Sequence, residues 1–192
     1  MKKTLLFAPL AVLLFSCEKE KDEVVESNFT YTNLNNVAIT SNNHLEFDLN
    51  NDGVKDFHAT TVLVDQNDAD RLQFKINTKQ GNKVLLQNGQ IPKVMESGDS
   101  IKKVGHTPYE WTSQYGALIV ERVMPVDVAQ SRWEGAWKDK RNKYLPIQIV
   151  KDGKTYNGWI QVSFSDTTPF KIVLHDAAVS KTPDVGIKAG QK

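Results

Sequence analysis

The 192-residue chain has little of the material that staples small proteins together. It carries one cysteine, which excludes an intramolecular disulfide and any cysteine-built zinc cluster. Charge of neither sign dominates: 24 Lys+Arg face 23 Asp+Glu, so the basic excess of a dedicated nucleic-acid binder is missing. No apolar run reaches the roughly 18–20 residues a spanning helix needs. The sequence has no Gly-x-Ser-x-Gly elbow, His-Glu-x-x-His helix, Gly-rich phosphate loop or dinucleotide fingerprint. Its histidines, His44, His58, His106 and His175, lack metal-ligand spacing, and His44 and His58, flanking an acidic loop, read as half-buried or solvated side chains. No catalytic residue is nominated. Length alone allows one domain whose core needs no covalent staple.

What is present begins with an address. Met1-Lys2-Lys3 is a short basic start, followed by the apolar stretch Thr4 to Phe15 and then Ser16-Cys17. A basic n-region and a short apolar h-region describe a secretory signal too brief to span a membrane. Leu14-Phe15-Ser16-Cys17 resembles the bacterial lipoprotein signal, which implies cleavage after Ser16 and acylation of Cys17. An ordinary cleaved signal with an incidental cysteine is the alternative. Several acyl chains on one residue give durable attachment, so the expected location is the cell envelope, at the outer membrane or cell surface. Residues 1–16 are then a discarded label, and 17–27 a charged tether too poor in apolar side chains to fold alone. Loss of Lys2 and Lys3 leaves 22 basic against 23 acidic residues, a mature charge of −1.

Residues 28–192 read as a single all-β domain. Short β-branched and aromatic runs alternate with Asn, Asp and Gly clusters. The expected strands are Phe29–Leu34, Val37–Thr40, His44–Leu49, Asp56–Val64, Arg71–Ile76, Lys83–Leu86, Ser100–Val104, Ala117–Val123, Lys143–Val150, Thr155–Ser165 and Phe170–Ala177. Alternation puts Ile160, Val162 and Phe164 on one face, and Phe170, Ile172 and Leu174 on another. The Asp152-Gly153 turn joins the strands on either side into a hairpin. Asn88-Gly89 and Ser97-Gly98-Asp99 are further turns. One short helix is allowed between Pro125 and Trp137, where Val126, Ala129, Trp133 and Trp137 recur at roughly helical spacing around a weakening Gly135. Many short strands with turn punctuation predict an antiparallel β-sandwich of jelly-roll or immunoglobulin-like kind.

One loop carries chemistry. Asp48, Asn50, Asp52 and Asp56 stand at relative positions 1, 3, 5 and 9, with Gly53 at position 6. Ca²⁺ takes six to eight oxygen ligands, and this spacing wraps side chains around one ion, with the Val54 carbonyl as a further donor. Position 12 is Ala59, where the EF-hand has its bidentate Glu, and the flanks read as strands rather than helices. The loop instead resembles the calcium hairpins of integrin-type propeller repeats and thrombospondin type 3 repeats. An Asx-rich turn bonded only to its own backbone is the plainer alternative. Calcium here would be structural, weakly held at roughly 10⁻⁴–10⁻³ M for want of the bidentate carboxylate.

Aromatic side chains admit two readings. Trp111, Tyr115, Trp133, Trp137, Tyr144, Tyr156 and Trp159 could floor a sugar site, or fill the core and sheet ends. Trp159 shares its strand face with Gln161 and Ser163, which predicts a partly exposed ring. Trp111, Tyr115 and Trp159 are therefore the candidate ligand-binding residues. Phe47–Phe57, Gly135-Ala136-Trp137, Lys143–Ile147, Asn157–Ser163 and the ending Ile187-Lys188-Ala189-Gly190 together resemble an uncharacterised module of exported bacterial proteins. The resemblance implies a secreted β-rich domain and no established activity; Asn157 and Pro146 depart from its usual Tyr and Gly.

The leading expectation is a surface-anchored, calcium-stabilised binding module for a glycan or a protein. A small carbohydrate-active hydrolase or lyase, or an envelope assembly protein, are the alternatives. An aromatic groove with two close carboxylates would favour the enzyme, a flat aromatic patch without them the binding module, and a smooth polar surface with an open sheet edge the assembly protein.

Overall fold

The computed structural model describes residues 27–41, 43–66, 68–113, 116–127 and 130–192. The signal segment, Cys17, the tether up to Glu26, Tyr115 and Ala129 lie outside the described residues. The described chain is all-β. Its first strands are β1 (Phe29–Ile39), β2 (Leu45–Phe47), β3 (Phe57–Gln66), β4 (Ala69–Thr78) and β5 (Lys83–Gln87). Short pieces follow: β6 (Ile91–Pro92), β7 (Ser100–Ile101) and β8 (Tyr109–Thr112), then the longer β9 (Ala117–Pro125) and brief β10 (Arg132–Glu134). The last are β11 (Lys143–Lys151), β12 (Lys154–Ser165), β13 (Lys171–Ser180) and β14 (Ile187–Lys188). No helix among the described residues is long and apolar enough to cross a membrane.

Two antiparallel sheets make the expected sandwich. The larger runs β1-β13-β12-β11-β5-β6 with β8 also paired to β5, and the smaller runs β10-β9-β4-β3-β2. Phe47, Phe57, Phe74, Ile76 and Ile119 of the smaller sheet meet Ile147, Ile160, Val162 and Leu174 of the larger in one buried cluster. The predicted β11–β12 hairpin is present: Lys151 pairs with Lys154 across Asp152 and Gly153, both at positive φ (51° and 71°). The two strands expected before and after Asn35-Asn36 are one bulged strand. Both asparagines take left-handed φ near 55°, which Asn tolerates best among non-glycine residues, and the register with β13 resumes at Val37.

A second, smaller core lies on the other face of the larger sheet. Phe29, Trp159 and Ala178 stand on that face and are covered by Met95, Ile101, Ile187 and Ala189. The cover is pinned by the β7–β14 pair, Ile101 opposite Ile187. Over Asn157–Ile160, β12 is thus dry on both sides, which is uncommon in an antiparallel sheet.

The short helix allowed between Pro125 and Trp137 is not formed among the described residues. Arg132–Glu134 instead pairs with β9, Trp133 opposite Arg122. Gly135 follows at φ 121°, where a Cβ would sit 3.0 Å from the Ile119 carbonyl oxygen and 3.1 Å from Val120 Cα. Only glycine fits that crossing, and a left-handed residue there ends any helix. Trp133 packs tilted against Phe164 and edge-on to Phe170, with centroids 4.9 and 5.1 Å apart, and Trp137 is fully buried. Val126, expected on the same apolar face, is 72% exposed.

Gly158 sets the tightest approach in β12. A Cβ there would lie 2.7 Å from the Ala178 carbonyl oxygen and 3.2 Å from Ile147 Cγ1. Gly158→Ala is therefore expected to lower stability by about 1–3 kcal/mol through overpacking. The check is a lower urea midpoint with unchanged slope; an unshifted midpoint would show that the neighbours give way freely.

Candidate functional site

The Asp-rich loop joins β2 to β3, closed by the Asp56 N–H on the Phe47 carbonyl at 2.9 Å. Asn51 and Gly53 provide its positive-φ positions, 59° and 85°. Each carboxylate turns onto backbone. Asp48 accepts from the N–H groups of Asn51 and Gly53, both at 2.7 Å, and from Asn50 at 3.2 Å. Asn50 Oδ1 accepts from the Asp52 N–H, and Asp52 Oδ1 from the Val54 N–H, each at 3.0 Å. Leu49 dips fully into the core.

Two contacts carry this loop across the sandwich to β11. Asp56 is buried; its Oδ2 accepts the Leu49 N–H at 2.7 Å and its Oδ1 the Asn82 amide at 2.9 Å. Asn82, also buried, accepts the Val150 N–H on its Oδ1 at 2.8 Å. Lys151 Nζ meets Asp52 Oδ2 at 3.0 Å. The loop of the smaller sheet is thereby clasped to the larger one beside a cleft of about 350 Å³. Asn82 and Lys151 were invisible to sequence reasoning, because both lie far along the chain from the motif they complete.

Charge is distributed unevenly in the clasp. The Val54 N–H and then Lys151 hold the Asp52 carboxyl below its ordinary range. Burial pushes Asp56 up, and the charges of Asp48 and Asp52 push the same way; Leu49 and Asn82 oppose it. Among the described residues no three Asp, Glu, His or Cys side chains gather as a metal-holding group. The cation that Asp52 holds is the Lys151 ammonium. The donor types suit a hard ion, and calcium would have to displace Lys151 to use both Asp52 oxygens.

The aromatic candidates separate. Trp159 is 1% exposed, its ring edge-on to Tyr144 and its Nε1 donating to the Gln191 carbonyl at 3.0 Å. The expectation of a partly exposed Trp159 is corrected: the cover formed by β7, β14 and the chain end makes its strand face a second core. It offers no ring to a ligand. Trp111 remains half-buried, packed on that second core with Nε1 on the Lys102 carbonyl at 3.2 Å. It lines a groove of about 500 Å³ with Tyr109, Glu110, Gln148, Thr155 and Lys83. Gly105 lets the groove's rim approach β8, since a Cβ there would lie 2.7 Å from the Tyr109 carbonyl oxygen. Buried Gln148 fixes that rim, donating to the Lys103 carbonyl at 2.9 Å and to Asn157 Oδ1 at 3.0 Å. Glu110 is the one carboxylate of the lining.

A third polar group was not foreseen. His175 Nε2 lies 2.8 Å from Ser163 Oγ, and its Nδ1 lies 2.6 Å from Asn36 Oδ1. These are the distances of a nucleophile, a base and an orienting group. However, Ser163 Oγ already accepts the Asn142 N–H at 2.8 Å, and none of the clefts described above includes the three. The chain of bonds ties β12, β13 and the β1 bulge together. Compared with known protein families, curated proteins and solved structures, the chain matches none.

The clasp generates a pH prediction. Asn82→Ala strips a partner from Asp56 Oδ1 and from the Val150 N–H, which should cost about 1–3 kcal/mol for each buried group left unpaired. It also removes a bond that held the Asp56 pKa down. A carboxyl with a raised folded pKa favours the fold most when protonated, and that contribution fades as pH rises from the ordinary carboxylate range through the folded pKa. The variant's deficit, measured by urea denaturation, should therefore be smaller in acid and larger at neutral pH. A deficit independent of pH would separate Asp56 from Asn82.

Proposed function

We propose that the protein is a lipid-anchored module of the cell envelope that binds a glycan in the Tyr109–Trp111 groove. The groove carries the reading: an aromatic ring stands beside the amide of Gln148, the hydroxyl of Thr155 and the carboxylate of Glu110, the mixture by which sugar faces and hydroxyls are held. Glycoside hydrolysis uses two carboxylates flanking the bond, and a single one on the lining supports binding over cleavage. Leu14-Phe15-Ser16-Cys17 supports the anchor, with Cys17 acylated and membrane-bound at the outer membrane or cell surface. The purified protein on a glycan array should give signal for a restricted set of glycans, and Trp111→Ala should reduce it by about tenfold, the 1–3 kcal/mol of one stacking ring. Uniformly negative arrays would overturn the reading.

We further propose that calcium serves this module as a structural clip at Asp48, Asn50, Asp52 and the Val54 carbonyl, with buried Asp56 anchoring the loop to Asn82. The oxygen-rich loop and the Lys151 ammonium already drawn to Asp52 support a cation there. Calcium at about ten times its Kd would add roughly 1.4 kcal/mol of stability. For a chain of this size that is a rise in Tm of about 3–6 °C over the chelated protein. Asp52→Ala should abolish the response, and Lys151→Met should enlarge it by removing the competing ammonium. Equal wild-type melting with calcium and with chelator would sink the clip.

A further inference from the structure

An open sheet edge invites pairing with another chain, and most edges of this sandwich are blunted against it. β1, at one edge of the larger sheet, is interrupted by the Asn35-Asn36 bulge. β6, at the other, is two residues long and contains Pro92, which has no N–H to offer. In the smaller sheet β10 is a three-residue strand with Arg132 and Glu134, and β2 a three-residue strand centred on Glu46. β3 has no such device. β2 pairs with Phe57–Ala59 alone, so Thr60–Gln66 has β4 on one side and, among the described residues, no strand on the other. Its ladder with β4 runs the whole 10-residue strand without a register shift. The run Thr60-Thr61-Val62-Leu63-Val64 holds no proline, glycine or charge, a composition that favours strand pairing. Leu63 is 63% exposed and Val62 41%. Leu63 stands opposite Leu72, on the face that lower in the sheet is the main core. The loop after β1 reaches this edge at Thr61, whose hydroxyl donates to the Ser41 carbonyl at 3.4 Å.

We propose that the Thr60–Gln66 edge pairs antiparallel with the same edge of a second copy of this chain, joining the two smaller sheets across a twofold axis. The edge is complementary to itself. With Leu63 opposite Leu63 of the second copy, Val62 meets Val64, Thr61 meets Asp65, and Thr60 meets Gln66. Every residue of the free run then has a partner. The two exposed leucines cover one another on the core face, and Asp65, the one charge of the run, faces a hydroxyl. A register centred on Asp65 would set like charges directly opposite, which destabilises a ladder. A twofold pairing uses up both edges, so assembly closes at two copies. An edge this short falls below the roughly 1,200–2,000 Å² of a stable interface, so the dimer is weak and reversible, with a Kd of roughly 10–100 μM. No residue of the edge lines the groove or the clasp, so the pairing stands or falls independently of glycan and calcium.

The test is sedimentation of the full chain carrying Cys17→Ala, which removes acylation, from about 5 to about 500 μM. A reversible monomer–dimer equilibrium is expected. Leu63→Lys and, separately, Val62→Lys should each weaken it at least about tenfold, since a lysine on an edge strand opposes pairing. Both side chains are exposed in the single chain, so melting of the dilute variants should match the parent. Cross-linking reads the register. Residues directly opposite in an antiparallel pair have Cα atoms about 4.5–5.5 Å apart, within the reach of a disulfide. On the Cys17→Ala background the introduced thiol is the chain's only one. Under a mild oxidant Leu63→Cys should therefore form a covalent dimer at least about tenfold faster than Val104→Cys, at a position 72% exposed on the groove's rim. A monomer at every concentration overturns the proposal. So does a dimer that both lysine variants leave intact, or equal cross-linking at the two positions. Association that continues past two copies overturns the twofold pairing.

Discussion

The structure depends on keeping the middle of one strand dry on both faces. In β12 three successive residues do three different jobs: Gly158 lets β11 and β13 close in, Trp159 fills the second core, and Ile160 fills the first. Side chains alternate across a strand, so a strand with apolar residues at consecutive positions needs two covers. The smaller sheet is one. The other is assembled from pieces distant in sequence, Met95, Ile101, Ile187 and Ala189, of which Ile101 and Ile187 pair in a two-stranded sheet. This explains why a segment as slight as Ile187–Gly190 is part of the core. Ile187 and Ala189 pack beneath it, and Gly190, at φ 79°, leaves room for the Tyr144 hydroxyl, which a Cβ would approach to 2.9 Å.

The two sheets are joined at one end by polar groups rather than by apolar contact alone. Three carboxylates within nine residues would repel one another if left together. The loop separates them by giving each its own donors: Asp48 the turn N–H groups, Asp52 the Val54 N–H and Lys151, Asp56 the Leu49 N–H and Asn82. The loop closes on its own amides. In the proposed clip, calcium therefore adds stiffness to a clasp already made, consistent with the weak affinity that the lack of a bidentate Glu implies. The most heavily desolvated of the three, Asp56, reaches the larger sheet through Asn82, while Asp52 reaches it through Lys151.

How much could be read from sequence follows from how far each feature reaches. Alternation and turn residues are local, and they located the long strands, the Asp152-Gly153 hairpin and the buried series Ile160, Val162, Phe164. The short strands β6, β8, β10 and β14 have too few residues to show a period, and they exist because a neighbour pairs with them. The helical spacing through Trp133 and Trp137 misled because it recorded only that both rings are buried. Their burial comes from a strand followed by a left-handed Gly135, not from one helical face. Trp159 misled for the opposite reason. Gln161 and Ser163 suggest a wet face, but the cover ends partway along the strand, leaving Trp159 under it and Ser163 beyond it. The Asp loop was legible as a loop; its partners Asn82 and Lys151 were not, since nothing local to either refers to residues 48–56.

The groove is where the cover stops. Gln148 and Asn157 form a buried amide pair on the outer face of the larger sheet, and they hold the Lys103 carbonyl on one side and the Val185 carbonyl on the other. A buried amide pair is stable only when its hydrogen bonds are met, so these two side chains dictate where the two covering segments sit. Between those segments and β8 the sheet is left open, with Trp111 anchored by its packing on the second core. The same contacts that keep Trp159 dry thus position Trp111 at the edge of water. Lys103, on the groove's lining, belongs to the segment that Gln148 fixes, so it is placed by the fold's own polar core. A ligand packed on Trp111 would meet a site whose geometry is already set.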